Sequence, residues 1–293
     1  MKIIEELKVS FKTGGVLTKL IYINIAVFLV YNLLEILFRI TGNISAFNLA
    51  EYLAVPAYLP NFALRPWTIL TYMFFHEEFL HILFNLLWLY TFGQIFLGFM
   101  SQQKMLGVYI MGGIVGALLY MLVYNIVPYF LVKLPLSSAL GASASIYAIV
   151  IATTTYSPNL QLNLMFIGSV RLKHIALFIL ALDVVFILMD NNAGGHIAHL
   201  GGALFGYFYV VLHNKGYDMA KPAIFIIDMV QGLWKPKPRM KVNYKKADTD
   251  FDYNKRKKEQ QAKVDAILDK IAKSGYEKLT AEEKEILFKM KDK

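Results

Sequence analysis

Six long stretches of this chain are apolar and nearly free of charge, and they limit what it can fold into. A helix needs about 20 such residues to cross the ~30 Å hydrocarbon layer of a bilayer. The runs are Leu20–Phe38, Leu80–Phe99, Met105–Pro128, Ala139–Tyr156, Ile175–Met189 and Ile197–Leu212. Only 17% of the residues are charged, against about 25% in a soluble domain. The sequence therefore predicts an all-α, polytopic membrane protein with six spans.

The placement of the basic residues predicts the topology. The net charge is +9, and most Lys and Arg residues lie before the first run or after Leu212. Cytoplasmic flanks carry excess Lys and Arg, so both termini are expected in the cytoplasm. This topology explains the charge without a nucleic-acid partner. The first run is too long for a signal peptide. Since no organelle-targeting segment is evident, we expect the inner (plasma) membrane of a bacterium.

The chain divides into three predicted regions. Residues 1–19 form a basic cytosolic lead, residues 20–213 form the six-span domain, and residues 214–293 form a basic cytosolic tail. Helical spacing of apolar residues from Val264 to Ile271, followed by a capping-box pattern at 279–283, predicts a helical hairpin in the tail. The expected roles of this hairpin are a solvated appendage or contact with lipid headgroups or a cytosolic protein.

Ser143 and His199 are the first candidates for chemistry. Each lies in a run of small residues within an apolar stretch, and a histidine inside a membrane is costly unless it is paired or functional. Gly202 and Gly206 share a helix stripe with His199, and such stripes allow a second helix to approach closely. We therefore expect His199 to reach Ser143 as a general base reaches a nucleophile.

The expected reaction is acyl transfer by a dyad. In this reaction Ser143 attacks a peptide carbonyl, and His199 moves the proton. Neither nearby acid is predicted to orient His199, because Asp190 lies near the exit of the fifth span and Asp183 lies deeper.

Three further residues are predicted to lie around the pair. His81 and Asn85 are four residues apart and share one helix face, so with backbone N–H groups they are candidates to bind the developing oxyanion. Tyr147 lies one turn after Ser143 and can stack on the imidazole. His81, Asn85, Ser143 and His199 are all expected at a similar depth, a few residues below the external surface.

No metal and no cofactor is expected. The chain has no cysteine, and His76 and His81 are five residues apart, whereas the zinc helix of metalloproteases needs histidines at i and i+4.

The chain resembles the rhomboid intramembrane serine proteases. The matching motifs are His81-Ile82-Leu83-Phe84-Asn85, Gly141-Ala142-Ser143, and His199 followed by Gly202 and Gly206, within residues 15–213. The resemblance implies a six-helix rhomboid bundle with Ser143 as nucleophile and His199 as base. It further implies His81 and Asn85 in the oxyanion hole, Tyr147 against the base, and a structural role for His76.

Two positions depart from the family pattern. Ala144 follows the serine where the family usually has glycine, which could crowd the oxyanion region. The Trp-Arg pair of the family's first loop is replaced by Arg65-Pro66-Trp67-Thr68, so the anchoring of that loop cannot be transferred in detail.

The expected function is that of an intramembrane serine endopeptidase. It would cleave single-span transmembrane protein substrates near the extracytoplasmic end of their helix, with span five and the loop 190–195 as the lateral gate in the bilayer. The alternative is a catalytically silent rhomboid-like protein that binds or dislocates membrane clients. Loss of either Ser143 or His199 would identify that alternative, and both are present.

Overall fold

The chain is described by a computed structural model over residues 2–42, 49–165, 167–189, 192–234 and 250–291. The fold is mostly helical, at 79%. Its internal contacts group the chain into two compact units, Met1–Lys235 and Pro236–Lys293.

Within these described ranges the first unit contains twelve α-helices, two 3₁₀ helices (Tyr72–Phe74 and Leu134–Leu136) and two short strand pairs. The helices are α1 (Lys2–Thr13), α2 (Val16–Ile40), α3 (Leu49–Leu53), α4 (Leu59–Leu64), α5 (Thr68–Thr71), α6 (Phe79–Leu97), α7 (Gln102–Ile126), α8 (Pro128–Leu131), α9 (Ser143–Tyr156), α10 (Leu172–Leu188), α11 (Ala193–His213) and α12 (Lys221–Trp234). The antiparallel pairs are β1 (Val55–Pro56) with β2 (Ser138–Ala139), and β3 (Gln161–Leu164) with β4 (Gly168–Arg171). In the second unit, α13 (Asp250–Ser274) precedes α14 (Ala281–Lys291).

Each of the six predicted apolar runs coincides with a helix: α2, α6, α7, α9, α10 or α11. Within the described residues, four helices are long and apolar enough to cross a membrane: α2, α6, α7 and α11. The other two are shorter, at 14 residues for α9 and 17 residues for α10.

Helix α9 begins four residues later than its apolar run for a backbone reason. Ala139 is extended, because it pairs with Val55 across the two-residue strands β1 and β2. Gly141 then has a φ of +115°, which a right-handed helix cannot contain. The helix therefore starts at Ser143, and hydropathy alone could not reveal this.

Helix α9 is the central element of the first unit. It packs against α6, α7, α10 and α11, and ten of its fourteen residues are buried. The helices that surround α9 form the outer surface of the first unit.

Glycines bring α11 into backbone contact with α9. A Cβ on Gly202 would lie 2.0 Å from the carbonyl oxygen of Ala144, and a Cβ on Gly206 would lie 2.3 Å from that of Ala148. Such small-residue faces are the common way in which membrane helices pack closely. The predicted stripe of small residues is therefore the contact surface between α11 and α9.

Large apolar side chains cover the outside of the first unit. On α2, Leu29, Leu33 and Leu37 are each more than half exposed. Water would make such a surface unfavourable, whereas lipid chains cover it without cost. This exposure agrees with the membrane-span candidates.

The first loop is anchored by its own pair of contacts. An Arg65 guanidinium N–H donates to the carbonyl oxygen of Glu51 at 2.8 Å, and the Trp67 indole N–H donates to that of Tyr52 at 2.9 Å. The rearranged Arg65-Pro66-Trp67 segment thus holds helix α3 against the chain that leads to α5.

In the second unit the predicted capping box is present. The Thr280 N–H donates to Glu283 Oε2 at 2.8 Å, and the Glu283 N–H donates to Thr280 Oγ1 at 3.3 Å. The Lys270 ammonium of α13 also donates to Glu283 at 2.8 Å, so one carboxylate both caps α14 and links it to α13. Residues 235–249, between α12 and α13, lie outside the described residues.

We predict that Gly202→Ala destabilises the first unit. The added methyl would collide with a backbone oxygen that cannot rotate away, so α11 and α9 must separate, at a cost of about 1–3 kcal/mol. The melting temperature of the purified protein in detergent should fall. Leu204→Ala, at a half-exposed position of the same helix, is the control and should change the melting temperature little. Equal melting of Gly202→Ala and wild type would refute the close contact.

Candidate active site

Ser143 is held at the start of the buried helix α9. The Gly141 N–H donates to the carbonyl oxygen of Tyr72 at 2.9 Å, which fixes the turn that precedes the serine. The hydroxyl of Ser143 therefore projects from the first residue of a helix in which ten of the fourteen residues are buried.

His199 of α11 faces this serine. Its Nε2 lies 2.7 Å from Ser143 Oγ, and the Gly202 stripe of the same helix allows the approach. The Tyr147 ring stacks on the imidazole, with ring centroids 4.4 Å apart and an interplanar angle of 15°. The structure thus brings together the three residues that the sequence placed here.

Asp183 of α10 completes a chain of hydrogen bonds. His199 Nδ1 lies 2.9 Å from Asp183 Oδ1, and the carboxylate is 2% exposed. Since a carboxylate can only accept, the proton of a neutral His199 is on Nδ1, and Nε2 is free to accept from Ser143. The prediction that no carboxylate orients His199 is wrong.

A residue count along α10 and α11 could have found Asp183. It lies five residues before Leu188, the end of α10, and His199 lies six residues after Ala193, the start of α11. At 1.5 Å per residue these are depths of about 8 Å and about 9 Å from the same short connection. When the depth of each residue is measured from the end of its own apolar run instead, Asp183 comes out deeper than His199. Asp190, the other acid considered, lies outside the described residues.

A second histidine shares the same carboxylate oxygen. His196 Nδ1 lies 2.6 Å from Asp183 Oδ1, and its ring is almost perpendicular to that of His199, at 84°. Asp183 Oδ2 is buried without a hydrogen-bond partner among the described residues. His196 was not singled out from the sequence, although its i, i+3 spacing to His199 places both on one helix face.

His81 and Asn85 of α6 lie beside Gly141, in the turn that precedes Ser143. The Asn85 side-chain amide donates to His76 Nε2 at 2.8 Å, and the Ala142 N–H donates to the same nitrogen at 3.3 Å. His76, in the loop before α6, therefore joins α6 to the turn before α9. Burial lowers the pKa of the His76 imidazole to about 3, so it stays neutral and remains an acceptor. Its predicted role is structural.

The site contains a cavity of about 410 Å³. Ser143 and His199 line it together with His81, Asn85 and Tyr147. The predicted site residues therefore share one space, and a ligand in that space could contact all of them.

The methyl group of Ala144 lies outside this cavity. Ala144 is 1% exposed, and a Cβ on Gly116 of α7 would lie 2.7 Å from the Ala144 methyl. The methyl thus packs against α7. Crowding of the oxyanion region, which the departure from the family pattern suggested, does not occur.

The fold is a helical membrane bundle, and a serine at the start of a buried helix is hydrogen-bonded to a histidine of the last bundle helix. Together these two features define the rhomboid class. The chain belongs to the rhomboid family: a Rhomboid domain profile matches residues 63–215, slightly more than half of its length. Residues 247–289 match a family of unknown function, DUF6576.

Several curated relatives are presenilin-associated rhomboid-like proteins of mitochondria. The zebrafish (Danio rerio) protein A is 27% identical over 141 residues, which cover 47% of this chain and 35% of the relative. The human (Homo sapiens) protein is 26% identical over 146 residues, which cover 48% and 36%. The chain thus matches about a third of the length of these relatives.

These findings correct two predictions. The relatives are mitochondrial by name, which overturns the predicted bacterial plasma membrane with cytoplasmic termini. The predicted function is overturned as well. That prediction placed cleavage of single-span substrates at the extracytoplasmic face, which the mitochondrial relatives do not support. It also assigned a dyad of Ser143 and His199, whereas Asp183 extends the same chain of hydrogen bonds.

We predict that Gly141→Ala disturbs the site more than backbone strain alone would. A φ of +115° is strained for any L-residue, and the new methyl would lie 2.8 Å from His81 Cε1. Strain of this kind costs about 1–3 kcal/mol, and the contact adds to it. Gly216→Ala is the matched control, since Gly216 has a φ of +89° with nothing within 4 Å of a Cβ. The melting temperature should fall further for Gly141→Ala, and equal falls would show that Gly141 does not contact His81.

Proposed function

We propose that this chain is a serine peptide hydrolase of the rhomboid type whose site is a triad of Ser143, His199 and Asp183. The supporting observation is the continuous chain of hydrogen bonds from Ser143 Oγ to His199 and on to Asp183, at 2.7 and 2.9 Å. Nucleophile, base and orienting group in this order characterise serine hydrolases on unrelated folds.

The proposed reaction is acyl transfer in two steps. Ser143 Oγ attacks a peptide carbonyl carbon while His199 Nε2 takes its proton, and the protonated imidazole then gives that proton to the leaving amine. Water hydrolyses the resulting ester by the same route. Asp183 keeps His199 in the tautomer whose Nε2 can accept, and it stabilises the imidazolium that forms.

The oxyanion would be held on the α6 side of the cavity. His81 and Asn85 line the cavity with Ser143, and the Asn85 amide has a second N–H beyond the one given to His76. The backbone N–H groups at the start of α9 point in the direction that favours negative charge. Each donor of this kind is worth roughly 3–4 kcal/mol in other serine hydrolases.

We further propose that α2, α6, α7, α9, α10 and α11 form a six-span membrane domain and that the α13–α14 unit lies outside the bilayer. Helix α9 is buried by the other helices, which explains how a 14-residue helix can belong to such a domain. His81 and Ser143 lie within a turn of the starts of α6 and α9. Water therefore has a short path to the site from one membrane face.

We predict that a fluorophosphonate probe labels Ser143 in the detergent-purified chain, because the hydrogen bond to His199 activates the hydroxyl. Ser143→Ala should abolish labelling. Ser145→Ala is the matched control: Ser145 is 1% exposed and its hydroxyl faces Gly113 of α7, so labelling should stay at the wild-type level. Absence of labelling in a folded wild type, or loss in Ser145→Ala, would contradict the assignment of Ser143.

We predict that Asp183→Asn lowers the rate of peptide hydrolysis by about 10²–10⁴-fold, as loss of an orienting group does elsewhere. The measurement is cleavage of a fluorescent, unfolded protein by equal amounts of purified wild type and variant. A variant with wild-type melting and a rate within a few-fold of wild type would show that Ser143 and His199 act without Asp183.

A further inference from the structure

Two imidazoles and one carboxylate converge at the Asp183 end of the proposed triad. His196 Nδ1 and His199 Nδ1 lie 2.6 and 2.9 Å from Asp183 Oδ1, and the ligand atoms of all three residues lie within 4.8 Å of one another. The triad needs only one of these histidines. His196 therefore has no part in the proposed reaction.

The carboxylate is also incompletely satisfied. Asp183 is 2% exposed, and its Oδ2 is buried without a hydrogen-bond partner among the described residues. A buried carboxylate oxygen without a donor is unfavourable. A cation bound at this carboxylate would offset part of that cost.

We propose that Asp183, His196 and His199 form a binding site for a divalent transition-metal ion of the zinc class, and that the bound ion blocks His199. Two imidazole nitrogens and one carboxylate oxygen suit Zn²⁺, and the fourth position of a tetrahedral site is left for water. The inhibitory consequence rests on the proposed function; the binding site itself does not.

Binding requires only small movements. Ligand atoms around a tetrahedral ion with bonds of about 2.0–2.1 Å are separated by about 3.3 Å, so His196 and His199 must each move away from Asp183 Oδ1 by less than an ångström. The ligand atoms, which now lie within 4.8 Å of one another, must all reach this same separation. The side chains of His196 and His199 are 18% and 15% exposed. Neither imidazole is therefore fully enclosed, and His199 also lines the cavity that contains Ser143.

The ion would change which nitrogen of His199 carries a proton. With the metal on Nδ1, the neutral imidazole has its proton on Nε2. Nε2–H then donates to Ser143 Oγ, and the hydrogen bond between the two residues reverses. His199 in this state cannot accept the serine proton, so the nucleophile is not activated.

The test is titration of the full-length, detergent-purified chain with Co²⁺, whose visible d–d absorption reports four-coordinate binding. Wild type should bind one Co²⁺ per chain, and Zn²⁺ should displace it. His196→Gln and Asp183→Asn should each weaken binding by at least about ten-fold. The matched control is His174→Gln, because His174 is an exposed histidine of α10 outside the cluster. This variant should bind as wild type does.

Three results would overturn the proposed binding site. The first is the absence of stoichiometric Co²⁺ binding in folded wild type, and the second is binding that survives both His196→Gln and Asp183→Asn in variants that melt as wild type does. The third is a loss of Co²⁺ affinity in His174→Gln equal to the loss in the cluster variants.

Fluorophosphonate labelling of Ser143 tests the inhibition. Zn²⁺ should suppress labelling and a chelator should restore it; labelling that Zn²⁺ leaves unchanged would refute inhibition. A chain that binds Co²⁺ but is not labelled without metal would refute the proposed function and leave the site standing.

Discussion

Helices α9 and α11 approach each other until the carbonyl oxygens of Ala144 and Ala148 lie where side chains on Gly202 and Gly206 would be. Backbone contact at this distance is possible only between small residues, and it fixes how the two helices are placed. The 2.7 Å contact between Ser143 and His199 follows from it. In a membrane, packing of this kind takes the place of the hydrophobic effect that joins helices in water.

The sequence carried most of the information about this contact. Apolar runs predicted the helices, and the i, i+3, i+7 spacing of His199, Gly202 and Gly206 predicted which face of α11 meets α9. Hydropathy could not show that α9 starts only at Ser143, because that boundary is set by the backbone of Gly141 and by the β1–β2 pairing, which is a contact distant in sequence.

The role of Asp183 depended on geometry that composition does not contain. A carboxylate in an apolar helix has several interpretations, and its partner is decided by the depth of each residue below a short connection. The structure puts Asp183 Oδ1 between two imidazoles, one of which contacts the serine. The same carboxylate therefore connects the proposed reaction with the proposed metal site, and His199 belongs to both.

The tautomer of His199 is the most direct test of this arrangement. Selective ¹⁵N-histidine labelling gives NMR signals for the chain's six histidines, and His199→Gln assigns the signal of interest. The hydrogen-bond chain predicts a proton on Nδ1 and an unprotonated Nε2 that accepts from Ser143 in metal-free protein. Loss of this pattern in Asp183→Asn would support the chain of hydrogen bonds. A wild-type spectrum with the proton on Nε2 would contradict the triad.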